Sequence, residues 1–274
     1  MNNRRTKVLI AAKILSVILL LIFSVSACRI PAVFKTKSGT RIEIEVKTDE
    51  PNAEQITDRA VRILQNRLNA LGMDGEISKS SPNKIEAKIY TGANVPRVRE
   101  ILLAESRFEL RKVVSPPSPA PLQTFPTKES ATQFLGGIVP SNRKILRFPD
   151  TKTNDSERWI IVENPSIVDG SELRDASAMK DLGRSDGGYE ITFSLNPSGA
   201  QKFGDWTAKN IGNYVGIILN DEVRSAAFIR SQIFDSGIIN GRFNKQQAED
   251  LALVMKSGYL PATLEVIDEK TFGQ

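Results

Sequence analysis

Residues 237–273, GIINGRFNKQQAEDLALVMKSGYLPATLEVIDEKTFG, constrain the fold more than any other stretch of this chain. They specify a strand or turn, a capped helix, a glycine stop, a Leu-Pro corner and a final strand. Asn244 fits an N-cap, and Gln247 lies three residues on, where the reciprocal partner of a capping box belongs. Ala248, Leu251, Ala252 and Met255 recur at helical spacing, so one face of the helix is apolar. Gly258 suits the left-handed conformation that ends a helix, and Pro261 blocks continuation. Leu264, Val266 and Asp268 then alternate as in a half-buried strand.

Nearer the N-terminus, Ile42, Ile44 and Val46 alternate as a strand. Residues 49–52, DEPN, open a helix with Ile56, Ala60, Ile63, Leu64, Leu68 and Leu71 on one face, and Gly72 stops it. Ile85, Ala87 and Ile89 mark another strand, with a further one near residues 76–78. A second helix starts near Val95-Pro96 and buries Val98, Ile101 and Leu102, after which Phe108, Leu110 and Val113 form a closing strand. This β-α-β-β-α-β order predicts a ferredoxin-like base over residues 40–114, two helices on one face of an antiparallel sheet.

Residues 115–126, SPPSPAPLQTFP, hold five prolines in twelve positions and read as an extended, semi-rigid connector. Weak patterning continues to residue 156, with one helical stretch at 128–135, and this is the expected domain boundary. Beyond it, residues 159–163 and 189–195 read as strands. Asn196-Pro197 is an N-cap followed by a first-turn proline, opening a helix expected to bury Ala200, Phe203, Trp206 and Ile211. Residues 214–220 and 224–231 form a hairpin across Asn220-Asp221. The fold class is therefore α+β: a ferredoxin-like βαββαβ base, then an α+β head over residues 157–274.

The chain contains no histidine and a single cysteine, Cys28. That excludes Ser-His-Asp and Cys-His catalysis, histidine metal sites and intrachain disulfides. Ser-x-x-Lys recurs at Ser81/Lys84, Ser141/Lys144 and Ser177/Lys180, without the Lys-Thr-Gly that accompanies a penicillin-binding nucleophile pair. Asp169, Glu172 and Asp175 are the tightest acidic group, but their spacing matches no calcium loop and fits acids at a helix start. No glycine loop is built to cradle phosphate. No enzyme, cofactor or metal site is expected.

The formal charge of +5 suggests a nucleic-acid partner only superficially. Arg4, Arg5, Lys7 and Lys13 lie in the first 27 residues, and removing these four from 37 basic residues leaves 33 against 32 acidic. A nearly neutral remainder has no net attraction to phosphate. Residues 1–28 combine that basic start with an apolar or small run over 14–27 and the sequence Val25-Ser26-Ala27-Cys28. The run is short for a membrane span of ~20 residues and right for a signal-peptide core. One reading is a lipoprotein signal with Cys28 acylated; the other is an uncleaved anchor helix over residues 8–27. Both tether the chain, through residues 29–39, to the extracytoplasmic face of a membrane.

The C-terminal stretch resembles the membrane-proximal end of the first periplasmic region of SecD, an accessory subunit of protein translocase. The shared residues are Ile239, Gly241, Phe243, Ala248, Leu251, Ala252, Gly258, Leu260, Pro261, Ala262, Leu264, Thr271 and Gly273, with Phe272 where the family has valine. The first helix, with Arg67, Asn69, Leu71 and Gly72, is similar to the family's R-x-N-x-L-G. Residues 168–176 resemble its V-x-G-x-x-L-x-D-A segment, and Leu195, Gly199, Ala200 and Phe203 its L-x-x-x-G-A-x-x-F helix. After the hairpin turn, Ser225-Ala226-Ala227 lacks the family's proline.

The resemblance covers residues 40–114 and 157–273. It implies a base and a head joined by connecting segments, with a head that swings, and Arg67, Gly72, Gly199, Gly241, Gly258, Leu260 and Pro261 as framework positions. It implies a non-enzymatic role contacting translocating or newly exported polypeptide, with unfolded chains or Sec translocon components as partners. Family members continue into further membrane helices that couple to the proton gradient, which this chain by itself is not expected to do. Hairpin residues Ile217, Ala227, Phe228 and Ile229 are the candidate polypeptide-contact surface. The alternative is a structural module that docks on another envelope protein and binds no unfolded client.

Overall fold

The computed structural model describes residues 37–90, 94–116, 120–149, 157–183 and 188–273. Cys28, the signal or anchor segment and most of the tether lie outside the described residues. In chain order the elements are β1 (Gly39–Lys47), α1 (Ala53–Ala70), β2 (Gly75–Ser81), β3 (Lys84–Tyr90), α2 (Val95–Leu103), β4 (Phe108–Lys112), α3 (Lys128–Phe134), β5 (Arg143–Pro149), β6 (Glu157–Glu163) and β7 (Val168–Asp169). There follow a single 3-10 turn (Gly170–Glu172), β8 (Leu173–Lys180), β9 (Tyr189–Leu195), α4 (Pro197–Lys209), β10 (Tyr214–Leu219), β11 (Glu222–Phe228), β12 (Ser236–Phe243), α5 (Lys245–Lys256) and β13 (Thr263–Phe272).

The strands form three sheets, ordered β13-β1-β3-β2, β6-β5-β11-β10-β4-β7 and β12-β9-β8. In the first, Ile42, Ile44 and Val46 of β1 and Ile85, Ala87 and Ile89 of β3 point to one face and are buried under α1 and α2. Ala60, Leu64 and Leu68 of α1 and Val98 and Leu102 of α2 supply the facing layer. α1 ends as its glycine predicts. Gly72 has φ of 65°, its N–H donates to Asn69 O at 2.9 Å, and Met73 N–H donates to Leu68 O at 3.2 Å.

The closing strand of this sheet is not the one expected. β4, with Phe108 and Leu110, pairs with β10 and β7 in the six-stranded sheet, and β13 takes the fourth place beside β1. Ile44 faces Val266 and Val46 faces Leu264 across that pair, completing the base core. The reason is physical: an alternating apolar pattern states which face of a strand is buried, not which neighbour it pairs with. β4 is also buried on both faces, since Glu109 and Arg111 on its second face form a buried ion pair at 2.8 Å. β4 accordingly lies between β10 and β7, covered on both faces.

The chain therefore leaves the base after α2, through residues 104–107, and returns after α5, through 257–262. The stretch read as a connector carries α3 and β5, and it is tied to the second sheet through residues between its exposed prolines. Phe125 and Trp159 exchange backbone hydrogen bonds at 2.8 Å, Gln123 N–H donates to Ser115 Oγ at 3.0 Å, and Leu122 packs under β6 and β10.

The second and third sheets enclose one core with α4 and α5. Phe108, Val215, Ile217, Ile191, Phe193, Leu195, Phe203, Ile239, Ala248 and Met255 are buried there. Phe203 is core, as expected; Trp206 is half-buried against it, whereas Ile211 lies beyond the end of α4 and is exposed. The β10–β11 turn places Asn220 and Asp221 at φ of 53° and 58°, the left-handed pair of a tight hairpin.

Candidate functional site

Arg67 leaves the buried face of α1 one turn before its end and is fully buried. Among the described residues no carboxylate is hydrogen-bonded to it. Nη1 donates to the carbonyls of Ile101, Leu102 and Ala104 at 3.1, 2.7 and 2.7 Å, at the C-terminal end of α2 where helix carbonyls run out of helical donors. Nη2 donates to Gly258 O at 3.0 Å and Ser106 Oγ at 3.4 Å, and Nε to Ser257 Oγ at 3.2 Å. The negative ends of two helix dipoles replace the missing counter-ion. Burial still disfavours the charge and lowers the Arg67 pKa to about 10.

α5 forms on the capping box read from the sequence. Gln247 N–H donates to Asn244 Oδ1 at 2.9 Å and Asn244 N–H to Gln247 Oε1 at 3.0 Å. Gly258 ends it at φ of 93°. The helix is tied on both sides: Asp250 accepts from Arg97 of α2 at 2.6 Å, and Lys256 pairs with Asp175 of β8 at 2.8 Å. Lys256 holds the Asp175 carboxyl below its ordinary pKa.

Between α1, α5 and β8 lies a cleft of about 540 Å³. Asn66 and Ala70 form one wall, Ala252, Leu253, Lys256 and Ser257 another, and Ala176, Ser177 and Ala178 the third. Successive residues of a strand point to opposite faces, so a cavity touched by three in a row meets the strand along its edge. β8 is a terminal strand of its sheet. The lining side chains are mostly Ala and Ser, which project little, with the charged Glu249 and Lys256 beside them. A second groove of about 360 Å³, at the two chain crossings, is lined by Lys47, Glu105, Arg107, Tyr259, Leu260 and Pro261 among others.

The candidate contact residues are not gathered at a surface. Ile217 and Ile229 are buried in the head core, and Ala227 and Phe228 are half-buried, with the Phe228 ring against Tyr214. β10 lies between β11 and β4 and is covered on both faces, so its apolar run is interior. The framework residues have local tasks. A Cβ at Gly199 would sit 2.8 Å from Cβ of Glu172, and one at Gly241 would enter the Phe243 ring. Leu260 packs on the base core beside Pro261 at the corner into β13.

Asp169, Glu172 and Asp175 each have a structural partner: Asp169 caps Ser171 N–H at 2.8 Å, Glu172 accepts from Asp169 N–H and pairs with Lys202, and Asp175 pairs with Lys256. Among the described residues no group of acids is placed to hold a metal ion. Sequence reasoning missed the cleft, because it is built from three elements far apart in the sequence and from small residues with no pattern of their own. Arg67, expected as a framework position, is one, and an arginine among helical leucines is the signal that could have marked it as buried.

Residues 144–262 match the family described as SecDF, P1 head subdomain. Protein translocase subunit SecD of Koribacter versatilis is 28% identical over 80% of this chain and 39% of that protein. A crystal structure of SecDF in a super-membrane-facing form superposes with a TM-score of 0.65 at 24% identity, over 97% of this chain and 35% of that one. A second SecDF structure, of a membrane component that enhances protein export, gives 0.60 at 24% identity over 83% and 98%. These two structures carry the fold. The chain spans less than half the length of the curated relatives it matches.

Proposed function

We propose, for a chain that belongs with the first periplasmic region of SecD and SecDF, head subdomain included, a non-enzymatic role on the extracytoplasmic face of a membrane as an accessory of protein export. It is tethered through an acylated Cys28 or an N-terminal helix. It contacts extended stretches of translocating or newly exported polypeptide at the cleft between α1, α5 and β8. Sec translocon components are the partners this role calls for.

The observation that carries the reading is the strand edge at Ala176, Ser177 and Ala178. An extended chain adds to such an edge through main-chain hydrogen bonds, which every polypeptide offers. The small Ala and Ser walls impose little side-chain selection, as a site for many different clients needs. The hairpin surface first considered is replaced by this cleft, since Ile217 and Ile229 lie in the core.

A second reading, docking on a folded envelope protein without a client, is favoured by the end of α3 and the loop that follows it. There Phe134 is 54% and Ile138 79% exposed, with Val139 beside them. Photo-cross-linking in cells from Ser177 and from Ile138 tests the two. Adducts to many secreted chains from Ser177 support the cleft; one dominant folded protein from Ile138, with none from Ser177, supports docking.

A further inference from the structure

The two segments by which the chain crosses between base and head meet at one side chain. Arg67 Nη1 and Nη2 hold Ala104 O and Ser106 Oγ on the outgoing crossing, and Nη2 and Nε hold Gly258 O and Ser257 Oγ on the returning one. The crossings are also bound to each other, since Ser106 Oγ donates to Gly258 O at 3.1 Å. Ser257 lines the cleft from the α5 side, and Asn66, the neighbour of Arg67, lines it from the α1 side. The Arg67–Ser257 hydrogen bond therefore runs from one wall of the cleft to the other.

We propose that Arg67 is the positioning residue of the base–head joint: its guanidinium pins both crossings and so sets the separation of α1 from α5, which is the width of the cleft. A planar fork with five N–H donors is required, because the acceptors lie on three sides of it. Lysine brings one nitrogen and cannot reach Ser257, Gly258 and the α2 carbonyls together. Methionine fills the volume and holds none of them. The other ties on α5 do not substitute, since Arg97–Asp250 and Lys256–Asp175 are both partly exposed to solvent. The significance for clients rests on the cleft reading of the previous section; the joint itself does not.

The test is a distance distribution from paired spin labels in the full-length chain. Cys28, the one native cysteine, is replaced by serine, and labels are placed at Glu76→Cys on the base and Lys209→Cys on the head, both exposed positions. The parent is expected to give one narrow distribution, and Arg67→Met and Arg67→Lys distributions at least twice as wide. Ser257→Ala keeps the buried charge, its packing and the Ser106–Gly258 bond while removing the acceptor of Nε, so it reports on the pin if Arg67→Met fails to fold; it too is expected to broaden. Unchanged widths in the folded variants overturn the proposal. Binding of a reduced, carboxymethylated polypeptide is measured on the same samples. Broadening with unaltered binding leaves the joint standing and removes the cleft as client site; unchanged widths overturn the role of Arg67 whatever the binding does.

Discussion

The guanidinium of Arg67 and the carbonyl of Gly258 are hydrogen-bonded at 3.0 Å across 191 positions of sequence. One partner lies near the end of the first helix and the other just past the end of the last. Their contact explains how a base whose fourth strand comes from the far end of the chain is held in register with a head inserted between its third and fourth strands.

Stability should depend on this contact more than on any surface ion pair. Arg67→Met leaves the carbonyls of Leu102 and Ala104 without their buried donor, while Ile101 O keeps Ala104 N–H and Gly258 O keeps Ser106 Oγ. An unsatisfied buried group costs about 1–3 kcal/mol, so a total loss above about 3 kcal/mol is expected. The shift of the urea unfolding midpoint measures it. Arg67→Lys should fall between the two.

The capping box of α5 should contribute in the ordinary range. Asn244→Ala removes the acceptor for Gln247 N–H and should cost about 1 kcal/mol, read from the same urea titration. Gly199→Ala should cost more, about 1–3 kcal/mol, because the added methyl meets Glu172 Cβ at 2.8 Å between two packed elements.

These tests rest on features of very different visibility in the sequence. The Asn244–Gln247 box, the Asn196-Pro197 start of α4, the Gly72 stop and the Asn220-Asp221 turn were legible because each is set by residues within four positions of one another. The partner of β1 was not. Phe108–Leu110 and Leu264–Val266 carry the same alternation, and only the two-sided burial of β4 separates them. Ile217 and Ile229 looked like a binding surface because apolar residues in an internal strand and on an exposed edge read alike. The cleft left no trace, since Ala70, Ala176 and Ala252 have no spacing rule in common.

The α5–β8 tie should respond to acid in a defined direction. Lys256 lowers the Asp175 pKa below its ordinary 3.8. A carboxylate whose folded pKa is depressed contributes stability that is present above the unfolded value and is lost as pH falls through the folded value. The small difference in melting temperature between wild type and Lys256→Met should therefore be full at pH 7 and shrink below about pH 4, the ordinary carboxylate value. It should also shrink at high salt, since both groups are partly exposed. Melting curves across pH 2.5–7, a range flanking that value, check the sign.

Removing β13 should unfold the base selectively. Truncation after residue 262 deletes the strand paired with β1 from Lys47 to Gly39 and exposes Ile44 and Val46. Amide exchange in β1 and β3 should lose its protection, while β10 and β4, paired with each other inside the second sheet, keep theirs.

The most direct test of the account is binding of an unfolded chain to the cleft. Ala70 is exposed at its mouth, so Ala70→Trp narrows the opening without entering a core. Fluorescence anisotropy of a labelled, reduced and carboxymethylated polypeptide should show binding to the wild-type protein, weakened about tenfold or more in Ala70→Trp, a change of about 1.4 kcal/mol. The folded, disulfide-intact form of the same polypeptide should bind neither. Equal binding of the unfolded probe to both proteins would contradict the assignment of this cleft as the polypeptide-contact site.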